Sequence, residues 1–215
     1  MAPEATRRAY TSRLRSEQAA DTRRRVLDAA AHRFAADGYV ATTLAGIAGR
    51  AGVSVETVKS CGAKRDLLLS SFEQTFAGEE GTTPLSSRPG LAELLTLERD
   101  ADAIAASVAF VAEANARAST LWRTLTSAAD TDPVIRASLT ELLGRRRADI
   151  TAATAVLQNR GLVPRGPDAR ARTADVLSFL SSPEGYEQLV LTAGWPHRDY
   201  VDWLTRTITA ALLHG

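Results

Sequence analysis

Between Thr22 and Gly38 apolar side chains return every three or four positions. Val26, Leu27, Ala30, Ala31 and Phe34 share one face, while Arg23, Arg24, Arg25, Asp28 and Arg33 fall elsewhere. That period predicts an amphipathic helix, capped at Asp21 or Thr22 and stopped at Asp37-Gly38. A second, shorter pattern comes next. Thr43 can cap a helix start with its hydroxyl, and Leu44, Ile47 and Ala48 then fall on one face. Gly52 stands where the chain must leave that helix sharply, a position suited to a left-handed residue. Val53 is an apolar plug under the turn, and Ser54 is a ready N-cap for a helix beginning at Val55. A short helix, a tight Gly-containing turn and a second capped helix form the unit that places its second helix in a major groove. An ordinary helical hairpin in a bundle has the same local pattern.

The helical period continues along the rest of the chain. Lys64 to Ala77 carries Leu67, Leu68, Phe72 and Phe76, a helix connecting the first unit to the C-terminal part. Gly78 to Gly90, rich in Gly, Thr, Ser and Pro, reads as a linker. A long helical region is expected from about Leu91 to Ala129, interrupted near Leu97 to Asp100. Asp132-Pro133 reads as a cap with proline in the first turn, opening a helix to Asn159 that stops at Gly161. Further helices are expected over Asp168–Leu180, from Ser182-Pro183 to about Thr192, and from Pro196 to near Leu213. Strand-type alternation persists nowhere. The expected fold class is therefore all-α: an N-terminal three-helix helix-turn-helix domain over residues 21–66, and a C-terminal helical bundle over 67–215. An Arg-rich, weakly ordered arm is expected over residues 1–20. A chain of 215 residues is long enough for both parts.

Charge sharpens this division. Residues 1–70 hold twelve Arg/Lys against seven Asp/Glu, a balance of +5, and residues 71–215 hold fourteen against eighteen, a balance of −4. A basic N-terminal lobe on a near-neutral whole suits a phosphate-facing domain on a body that does not touch nucleic acid. The arm, with Arg7, Arg8, Arg13 and Arg15, could follow phosphates or a minor groove, or be a solvated tail. The single cysteine excludes an internal disulfide and fits a reducing cytoplasm. No apolar run approaches the ~20 residues that span a bilayer.

Thr22, Leu27, Ala29, Ala30, Phe34, Gly38, Tyr39, Thr42, Thr43, Ile47, Ala48, Ala51, Gly52, Val53, Ser54, Thr57, Lys64 and Leu67, taken as a set, resemble the TetR family of bacterial transcriptional regulators. A weaker resemblance, to an actinobacterial-type subgroup, runs through Ala174-Asp-Val-Leu177, Ser182-Pro-Glu-Gly-Tyr186, Leu189-Val190, Gly194-Trp195, Tyr200 and Trp203-Leu204. The first set breaks off just after Thr57. Family members usually continue with an aliphatic, a tyrosine, two variable residues and a phenylalanine, then a short turn and a lysine. Here Val58-Lys-Ser-Cys-Gly-Ala-Lys64 is one residue shorter, and no aromatic stands between Tyr39 and Phe72. The resemblance implies that the tyrosine reaches a phosphate and the phenylalanine packs the reading helix. Lys59 and the smaller Cys61 are the nearest substitutes. The gap has two possible outcomes: it falls in the turn after the reading helix and binding survives, or the helix is cut short and operator binding is lost. Replacing a buried aromatic by a small side chain typically costs about 3–5 kcal/mol if nothing refills the space.

The resemblance implies a ligand-responsive regulator, a repressor, that binds palindromic double-stranded operator DNA as a homodimer. Thr43, Ser54, Val55, Glu56, Thr57, Lys59 and Lys64 are the residues expected to approach DNA. Thr43 and Lys64 suit phosphates, and Val55, Glu56 and Thr57 suit base edges. An unidentified small-molecule effector would occupy the bundle, where Phe110, Asn115, Leu121, Trp122 and Leu125 mix aromatic surface with a polar group. The dimer would form through the last helices, with Tyr186, Leu189, Val190, Trp195, Tyr200 and Trp203 supplying apolar surface. The same residues could instead fill the core of one subunit. Arg145, Arg146 and Arg147 read as a solvated helix face. The alternative function is a TetR-like chain that has lost operator binding and binds, or acts on, a small molecule. For catalysis the sequence offers little. His32, His197 and His214 are scattered without metal-ligand spacing, and no nucleophile elbow, phosphate loop or dinucleotide fingerprint occurs. Asp100 and Asp102 point to different sides of a helix. No cofactor, metal or membrane partner is expected.

Overall fold

The computed structural model describes the backbone of residues 3–214, with the side chains of 15–166 and 168–212. Among the described residues every regular element is helical. The N-terminal unit, labelled the reader after the expectation above, consists of α1 (Pro3–Ala41), α2 (Leu44–Ala51), α3 (Val55–Cys61) and the connecting α4 (Lys64–Ala77). The body contains α5 (Pro89–Leu94), α6 (Asp100–Thr131), α7 (Pro133–Asn159), α8 (Pro167–Leu180), α9 (Pro183–Tyr186) and α10 (His197–His214). A 3-10 turn, Leu85–Ser87, precedes α5, and a π-helical turn, Glu187–Thr192, comes after α9.

The chain is helical from Pro3 onward, where a weakly ordered arm was expected. Residues 15–20 are exposed on that helix, and the side chains of Arg7, Arg8 and Arg13 lie outside the described residues. The expected stop is present as a break: Gly38 has φ 76° and ψ 174°, and one further turn leads to Ala41. Thr42 is buried and ties back across this break by donating to the Gly38 carbonyl at 2.7 Å.

Side-chain capping marks four of the described helix starts. The Thr43 hydroxyl accepts from the Gly46 N–H, and the Ser54 hydroxyl from the Thr57 N–H. Asp132 accepts from Val134 and Ile135, and Ser182 from Gly185. Each satisfies an N–H that has no partner within its helix. Gly52, in the left-handed conformation at φ 67°, turns the chain from α2 into α3.

Two apolar cores hold the molecule. One contains Val26, Leu27, Phe34, Ile47, Val58, Leu67, Leu68 and Phe72 of the reader together with Leu121, Trp122, Leu125 and Ile135 of the body. The Thr124 hydroxyl, on α6, also donates to the Phe34 carbonyl at 3.2 Å. The expected boundary at residue 66 is therefore crossed by one continuous core. The second core joins Ile104, Val108, Leu157, Tyr186, Tyr200, Leu204 and Ile208, from α6, α7, α9 and α10. Tyr186 stands edge-on to Tyr200, with ring centroids 5.1 Å apart.

Candidate nucleic-acid interface and its link to an internal cavity

The seven residues of α3 span about 10 Å at 1.5 Å per residue. Val58 is its inward anchor and is fully buried, while Val55 and Cys61 pack at the edge of the same core. Glu56, Lys59 and Ser60 are exposed. Lys59 and Glu56 form an ion pair at 2.8 Å. Ser54 and Thr57 share a hydrogen bond between hydroxyls at 2.9 Å, one turn apart at the start of the helix. Thr43 is exposed at the start of α2, its hydroxyl occupied as the cap. Lys64 differs from the other expected contacts. Its ammonium donates to the Val40 carbonyl at 3.1 Å and lies 4.6 Å from the centre of the Tyr39 ring. It therefore closes the end of α1, and burial pushes its pKa down.

Behind α3, Arg23 of α1 connects three elements. Its guanidinium pairs with Glu80, in the segment after α4, and donates to the backbone carbonyl of Cys61 at the end of α3. The hydrogen bond from Arg23 holds the Glu80 carboxyl below its ordinary value. Of the stretch 78–90 expected as a linker, the last two residues already belong to α5, and residues 78–88 form a fastened wall. Buried Arg88 fastens it from within, donating to the carbonyls of Ala77, Glu79, Gly81 and Thr83. Asp149 of α7 fastens it from the body, accepting from the N–H groups of Leu85 and Ser86 and from the Ser86 hydroxyl. A buried polar group in such a wall is tolerable only with partners of this kind.

This wall covers a cavity of about 370 Å³ between α4, α6 and α7. Phe72, Phe76 and Trp122 line it together with Leu91, Val111, Leu142 and Ile150; Glu73, Arg88, Arg145, Arg146 and Asp149 supply charge. Phe72 packs on both Phe76 and Trp122, at 5.7 and 5.3 Å between ring centres. The volume lies within the range of small-molecule sites. Of the five bundle residues singled out in the sequence, only Trp122 lines this cavity. Leu121 and Leu125 are buried in the core shared with the reader. Asn115 is fully buried and donates to the carbonyls of Ser181 and Ser182, which fixes the start of α9. Phe110 packs over Gly90. A helix period identifies inward positions but does not separate core from cavity wall.

The arginine run also departs from expectation. Arg147 is exposed and pairs with Asp175 at 2.9 Å, as a solvated face would. Arg145, however, pairs with Glu73 of α4, and Arg146 is half-buried in the cavity wall. Its guanidinium donates to the Ser178 hydroxyl at 2.6 Å, the Ser178 carbonyl at 2.9 Å and the Ser181 hydroxyl at 3.3 Å. The three consecutive arginines gave no sequence signal separating these roles.

Tyr186 and Tyr200, expected at a subunit interface, are buried within the subunit's own core. Leu189, Val190 and Trp203 are half-buried against that core, and Trp195 stands edge-on to Trp203 at 6.0 Å. The sequence reading missed Phe179, which is 78% exposed on α8. Arg172, Val176 and Phe179 form one exposed stripe at i, i+4, i+7.

Among the described residues no group of three or more His, Cys, Asp or Glu side chains is placed to hold a metal ion, and no helix is long and apolar enough to cross a membrane. No family profile matches the sequence, and no curated protein matches it. Solved structures do match in shape. A candidate TetR-family transcriptional regulator from Mesorhizobium loti superposes with a TM-score of 0.63 at 20% identity, over 90% of this chain and 94% of its own. A candidate transcriptional regulator from Pseudomonas aeruginosa gives a TM-score of 0.66 at 16% identity, over 89% and 90% of the two chains. One from Saccharomonospora viridis, in complex with choline, gives 0.62 at 21% identity, over 88% and 96%. With its capped α2–Gly52–α3 unit joined through α4 to an all-helical body, the chain has the TetR-like fold of these regulators.

Proposed function

We propose that the protein is a ligand-responsive transcriptional repressor that binds a palindromic DNA operator as a homodimer. The observation that carries this reading is the capped α2–α3 unit, whose second helix buries Val58 and turns Glu56, Lys59 and Ser60 outward. Lys59 would trade its Glu56 partner for a phosphate. Ser54 and Thr57, paired at the start of α3, would approach base edges or phosphates. Thr43 and Val55 flank them, and Lys64 would contribute only after leaving the Val40 carbonyl.

The cavity is the effector site in this reading. A ligand beneath residues 81–86 would displace the wall that carries Glu80, and Glu80 reaches α3 through Arg23 and the Cys61 carbonyl. Displacement there changes the position of the reading helix, so ligand and DNA favour different arrangements. The dimer would use α8 and α10, with Val176 and Phe179 supplying exposed apolar surface.

Gel retardation with the promoter fragments flanking the protein's own gene tests this. At low salt, where phosphate contacts are strongest, we expect a discrete shifted species that Lys59→Ala weakens. An absence of retardation at low salt would overturn the regulator reading. It would favour a chain that keeps the fold and the cavity without the operator, consistent with a reading helix of only two turns.

A further inference from the structure

Charges in the cavity wall are unevenly paired. Arg145 has Glu73 and Arg88 has Glu79 as carboxylate partners. Asp149 is spent on the backbone N–H groups of Leu85 and Ser86. Arg146 alone among the wall's three arginines has no carboxylate within 4 Å among the described residues; its partners are two serine hydroxyls and one carbonyl. These occupy three of its five N–H donors, leaving two free. Glu184 and Asp149 act on this guanidinium only from beyond direct pairing distance, so its hydrogen bonds go to neutral groups and its free donors are open to an incoming anion. The remaining wall is aromatic and aliphatic, with Phe72 and Phe76 on α4, Trp122 on α6 and Leu142 on α7 among its lining.

We infer that this cavity selects a monocarboxylic acid with an apolar tail or ring, its carboxylate bound by Arg146 and its body packed among Phe72, Phe76 and Trp122. The inference rests on the cavity being a ligand site, and it names the ligand's chemistry. A carboxylate suits the site because it accepts from a planar guanidinium without further cations. A quaternary ammonium ligand would find the aromatic rings but would meet Arg146 at like charge. Burial also pushes the Arg146 pKa down, with the Glu184 and Asp149 carboxylates acting in the opposite direction.

The test compares three probes sharing one ten-carbon chain, decanoate, 1-decanol and decyltrimethylammonium, below their micellar concentrations at pH 7. Binding to the full-length protein is read by calorimetry and by the rise in Tm, without DNA. Decanoate should bind about tenfold or more tightly than decanol, the scale of a charge-assisted hydrogen bond, and decyltrimethylammonium more weakly than either. Arg146→Gln should bring decanoate down to decanol's affinity while decanol binding persists. Should that variant fail to fold, the decanoate-to-decanol ratio of the native protein decides. Equal binding of acid and alcohol, tighter binding of the ammonium probe, a ratio unchanged in Arg146→Gln, or no binding by any probe would each overturn the inference. Because no operator is present, a failure here is distinct from a failure to retard DNA.

Discussion

At the scale of single residues, the firmest predictions concern backbone and burial. Gly38 holds φ 76° and ψ 174°, a region that side-chain-bearing residues rarely enter, although a β-carbon there would meet nothing within 4 Å. The cost of Gly38→Ala is therefore conformational. We expect a loss of about 1–3 kcal/mol in urea melts, from strain at one residue. An unchanged midpoint would mean that the break in α1 relaxes freely. Tyr200 is fully buried, and burial pushes its phenol up to about 12, with the neighbouring Asn115 amide acting in the opposite direction. The folded state therefore favours the neutral phenol. Its contribution is intact below the ordinary tyrosine value of 10 and is lost as pH rises through the folded value. Stability should fall between pH 10 and 12, and Tyr200→Phe should flatten that fall. Residues whose role is local were legible in sequence, because a cap such as Thr43, Ser54, Asp132 or Ser182 is decided within three or four positions. Arg145, Arg146 and Arg147 were not, since their differing fates depend on Glu73, Ser178 and Asp175, which are far away in sequence.

At the scale of elements, the segment between α4 and α5 is where expectation and structure differ most. Its Gly, Pro and Ser content fits a linker, yet Arg88 and Asp149 convert it into a cavity wall. Composition reports how easily a backbone turns, not what it is fastened to. The Arg23–Glu80 pair joins this wall to α1, and both side chains remain about one-third exposed, so the pair contributes modestly. Glu80→Gln should cost roughly 0.2–1 kcal/mol at neutral pH. The sign comes from the lowered Glu80 value: its contribution is present above the ordinary carboxyl value of 4.5 and fades as pH falls through the lower folded value. Urea melts of native protein and Glu80→Gln at pH 7, 5 and 3 should therefore converge towards acid. Curves that stay parallel would show that the pair is not what the substitution removes.

At the scale of the whole molecule, the all-helical class was legible, because helices of 14 to 39 residues repeat their period many times, although the helix ahead of Asp21 was not. Which apolar face meets which partner was not. Tyr186 and Tyr200 turn inward, and Phe179, part of an exposed stripe, turns out. If the homodimer forms on that stripe, Phe179→Arg should yield a monomer by light scattering while helical circular dichroism is retained. A dimer that survives would place the interface elsewhere. If a bound acid weakens operator binding, linkage requires operator DNA to weaken acid binding by the same factor.

Cys61 offers a way to measure such coupling. It is the chain's single thiol, half-buried at the C-terminal end of α3, with its carbonyl held by Arg23. One nitroxide per subunit could be attached there without adding or removing a cysteine. In a symmetric dimer the two labels would report the spacing of the reading helices as a single spin–spin distance. A single native thiol would thus make the spacing of the two α3 helices in such a dimer directly measurable.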